Sequence, residues 1–166
     1  MIASVDLDYQ VALEDEGQKQ CYLPVERQVS DWINAALQAS ETTDVGAEAE
    51  LTVRVVGKAE MIQLNSRFRN KQSVTNVLSF PFEPPAGVCL PLLGDVVVCA
   101  EVVSEEARQQ SKCDEQHWAH IVVHGVLHLL GYDHIEKNDA HCMESLEINV
   151  LSKLGFPNPY GEINKL

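Results

Sequence analysis

Six histidines occur in the 166-residue chain, and all of them fall between positions 117 and 141. His117, His120, His124 and His128 follow one another at steps of three, four and four, a spacing that puts them on one face of a helix. Two imidazoles four residues apart can both reach one tetrahedral zinc ion. The helix offers two such pairs, His120 with His124 and His124 with His128, and the residues after its end decide between them. Gly131 comes three residues after His128, and His134 three residues after Gly131. Glycine readily takes the left-handed conformation that ends a helix, so the chain can reverse there and bring His134 back toward His124 and His128. The pattern H-x-x-x-H-x-x-G-x-x-H thus predicts His124, His128 and His134 as ligands of one zinc ion per chain. A fourth position stays open for water, as in catalytic rather than structural zinc sites. His117, His120 and His141 are read as packed or surface residues.

The spacing resembles that of the metzincin metallopeptidases, whose motif H-E-x-x-H-x-x-G-x-x-H has a glutamate after the first histidine. Here that position is Gly125. The general base of a zinc peptidase is therefore missing, and peptide hydrolysis is disfavoured. Zinc itself lowers the pKa of bound water to about 7, so hydrolysis at the metal does not require that glutamate.

A second group of residues suited to chemistry is Arg67, Arg69 and Lys71, with Phe68 between the arginines. Guanidinium groups grip phosphate oxygens through two donors at once. The simpler reading is a solvated helix end, where cations favour the C-terminal dipole.

The elements that must position these residues are legible from hydropathy. Val5, Leu7, Tyr9, Val11 and Leu13 alternate with polar residues as a strand does. A helix follows Pro24, with Val25, Val29, Trp32, Ile33, Ala36 and Leu37 on one face. Ala49, Leu51, Val53 and Val55 mark a second strand, and Lys58 to about Phe68 a short helix. Val77 to Phe82 reads as an edge strand stopped by Pro84 and Pro85, and Leu93 to Ala100 as a fourth strand paired with it in a hairpin. Helices at about 101–112, 114–130 and 137–153 complete the chain. The order β-α-β-α-β-β-α-α-α predicts an α+β fold, a mixed four-stranded sheet covered by helices, in a single domain spanning residues 1–166.

Composition narrows the function classes. A net charge of −13 repels polyanions on average, so a nucleic-acid site has to be a local basic patch. Apolar runs are far shorter than the roughly 20 residues of a membrane span, and the acidic start of the chain is unlike an export signal. Five scattered cysteines without a C-x-x-C pair are read as buried reduced thiols of a cytosolic protein, not as metal ligands.

The stretch from His124 to His134, HGVLHLLGYDH, resembles the signature of the YbeY family of bacterial metal-dependent endoribonucleases. A second stretch agrees. Arg69 to Pro81, RNKQSVTNVLSFP, is similar to that family's R-x-K-x-x-x-T-[DN]-V-L-S-F-P pattern, and Gly94-Asp95 fits as well. One departure is Gln72, where many members carry an acidic residue. The resemblance runs from roughly residue 50 to 154 in the same order and spacing. It implies cleavage of single-stranded RNA in ribosomal RNA maturation, a cytoplasmic location, and partners in the small ribosomal subunit. It also makes Arg69 the preferred phosphate ligand and catalytic residue. By analogy with the metzincin arrangement, Val77 to Phe82 is either a plain edge strand or an edge bordering the substrate cleft. Asp133 is a weaker candidate for orienting a histidine or the water. A metzincin-like zinc peptidase and a non-catalytic, zinc-containing ribosome assembly factor are the alternatives.

Overall fold

The computed structural model describes residues 4–14, 20–40, 48–88, 90–133 and 137–160. Its elements follow the expected order: β1 (Ser4–Ala12), α1 (Glu26–Ala39), β2 (Glu48–Val56), α2 (Lys58–Arg69), β3 (Val77–Pro81), β4 (Leu92–Cys99), α3 (Ala100–Gln109), α4 (Asp114–Leu129) and α5 (Lys137–Lys153). The strands form one mixed sheet in the order β1-β2-β4-β3. β1, β2 and β4 are parallel. β3 closes a hairpin antiparallel to β4, with Val77 opposite Val98 and Pro81 opposite Gly94. β3 therefore lies on an edge of the sheet, where a proline costs no ladder hydrogen bond.

Helices cover both faces. On one, Leu51, Val53 and Val55 of β2 and Val96 and Val98 of β4 pack with Val29, Trp32 and Ile33 of α1, the apolar side of α4, and Met143, Val150 and Leu151 of α5. On the other, Val56, Leu78, Val97 and Cys99 meet Met61 of α2 and Val102 of α3. β4 is apolar on consecutive residues because both of its faces are buried. α4 thus packs on β3 and β4 at that edge of the sheet and also touches α1, α3 and α5.

Some expectations shift. α3 stops at Gln109, short of residue 112, because Ser111 takes a positive φ of 55°. The chain turns there, with the Lys112 N–H donating back to the Ala107 carbonyl at 2.8 Å. Val11 follows the alternation of β1 yet is 49% exposed near the end of that edge strand. The cysteines depart most from expectation. Cys99 is buried, but Cys21 is half-buried, and Cys113 and Cys142 are exposed. Those two occupy the start of α4 and the solvent side of α5, where no core reaches them. Cys89 lies outside the described residues. No helix among the described residues is long and apolar enough to cross a membrane.

Candidate active site

α4 ends where the glycine argument places its end. Gly131 has φ +100°. Its N–H donates to the His128 carbonyl, and the Tyr132 N–H reaches back to the Leu127 carbonyl, both at 3.0 Å. These two bonds form the Schellman closure that glycine favours. His134, the third expected ligand, falls just beyond, outside the described residues.

The four helical histidines share a face but divide among different partners, with Glu147 common to two of them. His117 is buried, with Nε2 2.9 Å from a Glu106 carboxylate oxygen. Burial pulls its pKa below the ordinary imidazole value, against the opposing pull of Glu106. His120 turns its Nε2 to Glu147 Oε2 at 2.9 Å. His124 places Nδ1 2.6 Å from Glu147 Oε1, and its Nε2 lies 3.1 Å from Nε2 of His128. His141 is exposed on α5.

The His124 and His128 nitrogens fit a zinc ion. Two imidazole nitrogens on one tetrahedral zinc, each about 2.0–2.1 Å from the metal, stand about 3.3 Å apart, close to the spacing found. His120 commits its Nε2 to Glu147 and the Tyr160 hydroxyl instead. Among the described residues no three His, Cys, Asp or Glu side chains form a ligand set, and the expected set includes His134.

Glu147 was not legible as a site residue. It is fully buried, and besides the two histidines it accepts a hydrogen bond from the Tyr160 hydroxyl at 2.5 Å. Burial pushes its carboxyl up, but the hydrogen bonds from His120 and His124 outweigh burial and bring it down to about 2. Burial, followed by the adjacent carboxylate, pushes the Tyr160 phenol up, so it remains a donor. The carboxylate on His124 thus comes from α5, whereas Asp133 was the expected candidate for such a role.

His124 and His128 open into a cleft of about 630 Å³ bordered by β3, the end of α2 and the segment joining them. Arg69 and Lys71 line it with Asn65, Thr75 and Asn76, and no described lining residue is a carboxylate. Arg69 Nη2 donates to the Ser79 carbonyl at 2.8 Å, and its guanidinium sits 5.5 Å from the centre of the Phe80 ring. Arg67 and Phe68 go elsewhere. Arg67 lies over the Phe68 ring, which packs edge-on against Phe80 and lines a separate hollow with Leu64 and Val97. The end of α2 thus parts Arg67 from Arg69 and Lys71.

Gly125 has its own structural reason. A Cβ there would stand 2.8 Å from Val96 Cγ1 and 3.3 Å from Val77 Cγ2, and the Ser79 hydroxyl donates to the Gly125 carbonyl at 2.9 Å. α4 approaches the sheet too closely for a side chain, so a peptidase glutamate has no room at this position.

The chain is similar to TM1509 from Thermotoga maritima, whose solution structure it matches with a TM-score of 0.52 at 24% identity, over 96% of this chain and 100% of that one. At that identity the likeness concerns the fold. The family profile described as Endoribonuclease YbeY matches residues 14–155. With that match running over most of its length, the chain belongs to the YbeY endoribonuclease family.

Proposed function

We propose that this protein is a zinc-dependent endoribonuclease that cleaves single-stranded RNA and acts in ribosomal RNA processing. The observation that carries this reading is the cleft: on a chain of net charge −13, Arg69, Lys71, His124 and His128 line one hollow with no described carboxylate among them. Such a lining attracts a phosphodiester locally while the rest of the molecule repels it. Membership of the family supports ribosomal RNA as the substrate, the small ribosomal subunit as a partner and the cytoplasm as the location within this reading.

His124, His128 and His134 would hold the zinc ion. When bound, the ion supplies Lewis acidity to a phosphate oxygen and a nucleophilic water near neutral pH. Arg69 spends one donor on the Ser79 carbonyl, which fixes its guanidinium and leaves its other N–H groups for the scissile phosphate. A donor fixed in this way favours the charge that gathers on the phosphate oxygens in the transition state. Lys71 adds a second cation for a neighbouring phosphate.

The edge of β3 speaks against peptide binding. An added peptide strand needs unpaired backbone groups along that edge. Here the Ser79 carbonyl is already held by Arg69, and Pro81 has no N–H. The test is a matched assay of single-stranded RNA, duplex RNA and unstructured peptides, before and after chelation and zinc return. Zinc-restored cleavage of single-stranded RNA alone is the expected result. Peptide cleavage with intact RNA would overturn the proposal, and unfolding on chelation would favour a purely structural metal.

A further inference from the structure

α5 buries Met143, Glu147, Val150 and Leu151, a spacing that forms one apolar stripe. A carboxylate in such a stripe is strongly disfavoured unless it is matched by donors. Glu147 has three. His124 Nδ1 approaches Oε1, while His120 Nε2 and the Tyr160 hydroxyl converge on Oε2. An ionised carboxylate can only accept, so each of these atoms carries its proton. For a neutral His124, a proton on Nδ1 leaves Nε2 with its lone pair. That is the atom directed at His128 on the cleft side. His120 follows the same logic in reverse. Its Nδ1 is buried with no hydrogen-bond partner among the described residues, as suits an unprotonated nitrogen, and its Nε2 is committed to Glu147.

We infer that Glu147 is a positioning residue, whose carboxylate locks His124 in the Nδ1–H tautomer and so presents its Nε2 lone pair to the cleft. The inference deepens the zinc reading and rests on it for its purpose, but the tautomer can be measured without metal. His120 and Tyr160 serve as struts that hold the second carboxylate oxygen. They fix the rotation of the carboxylate and therefore the plane in which His124 is held. Carboxylate partners of this kind raise the basicity of a ligating imidazole, and their loss commonly weakens metal binding 10–100-fold.

Long-range 1H–15N correlation spectra of the full chain, stripped of metal, report which nitrogen of each imidazole bears the proton, and a His124→Gln spectrum assigns the signal. The wild type should show His124 as Nδ1–H and His120 as Nε2–H. Glu147→Gln should abolish the single His124 tautomer and weaken zinc affinity, measured by chelator competition, about 10–100-fold. Tyr160→Phe, which keeps the carboxylate, should preserve the tautomer. A wild-type His124 protonated at Nε2 overturns the inference even if Glu147→Gln fails to fold. So does a folded Glu147→Gln protein with unchanged tautomer and zinc affinity. A wild type with the Nδ1–H tautomer and no zinc binding supports the positioning role and sinks the zinc reading.

Discussion

Arg69 stands at the last turn of α2, where a cation is favoured by the helix dipole, and its side chain is exposed apart from the Ser79 carbonyl and the Phe80 ring. Arg69→Ala should therefore lower kcat for RNA by about 10²–10³-fold, the usual loss for one transition-state donor. Zinc content should be unchanged and stability should fall by no more than about 1 kcal/mol. Equal kcat in steady-state cleavage assays would remove Arg69 from the chemistry. Glu147 gives a different signal, in pH. Its folded-state pKa of about 2 lies below the ordinary 4.5, so its ionisation stabilises the fold fully above about pH 4.5, and that contribution is lost as pH falls through 2. Urea denaturation of wild type and Glu147→Gln should show a stability gap at neutral pH that narrows between pH 4.5 and 2; a gap constant over that window would contradict the assigned cause. His124, His128 and Arg69, which line one cleft, stood out in the sequence because their spacing and type are local. Glu147 was not, because 23 positions separate it from His124 and only tertiary packing unites them. A signal did exist: a lone acid on the apolar stripe of the last helix.

The nine elements were legible because β1 and β2 alternate with a period of 2, β3 and β4 are short apolar runs, and the helices repeat near 3.6, with Gly131 and the prolines after β3 as punctuation. Helix–sheet distance leaves no such mark. Gly125 looked like a missing catalytic base, yet the described geometry makes it the point where α4 touches Val96 and Val77. Gly125→Glu should destabilise the protein by at least about 3 kcal/mol, through overpacking and a buried charge, and should confer no peptidase activity. A stably folded Gly125→Glu protein in chemical denaturation would mean the helix sits farther from the sheet. Gly131 makes the opposite case. A Cβ there meets nothing within 4 Å, so Gly131→Ala should cost only the backbone penalty of about 1–2 kcal/mol. Its larger effect should be weaker zinc binding, since the turn it makes leads into His134. Wild-type affinity in that variant would show that the reversal does not depend on glycine.

Across the whole molecule, an excess of acid surrounds a cleft with two cations, Arg69 and Lys71. Long-range attraction cannot recruit RNA to such a surface. Binding to single strands should be modest in the absence of a partner, with a log–log salt slope near −1.4, about 0.7 for each of two neutralised phosphates. A steep slope would mean a larger footprint than the cleft provides. If zinc held by the α4 histidines is what makes the cleft an RNA-cleaving site, a zinc titration will reveal it. The chelated protein is followed for cleavage of a single-stranded RNA as zinc is returned, alongside His128→Ala. Activity should rise to a plateau at one zinc per chain in the wild type and stay near background in His128→Ala, with both proteins folded by circular dichroism. Full activity before any zinc is added, or the same activity in folded His128→Ala, would contradict it.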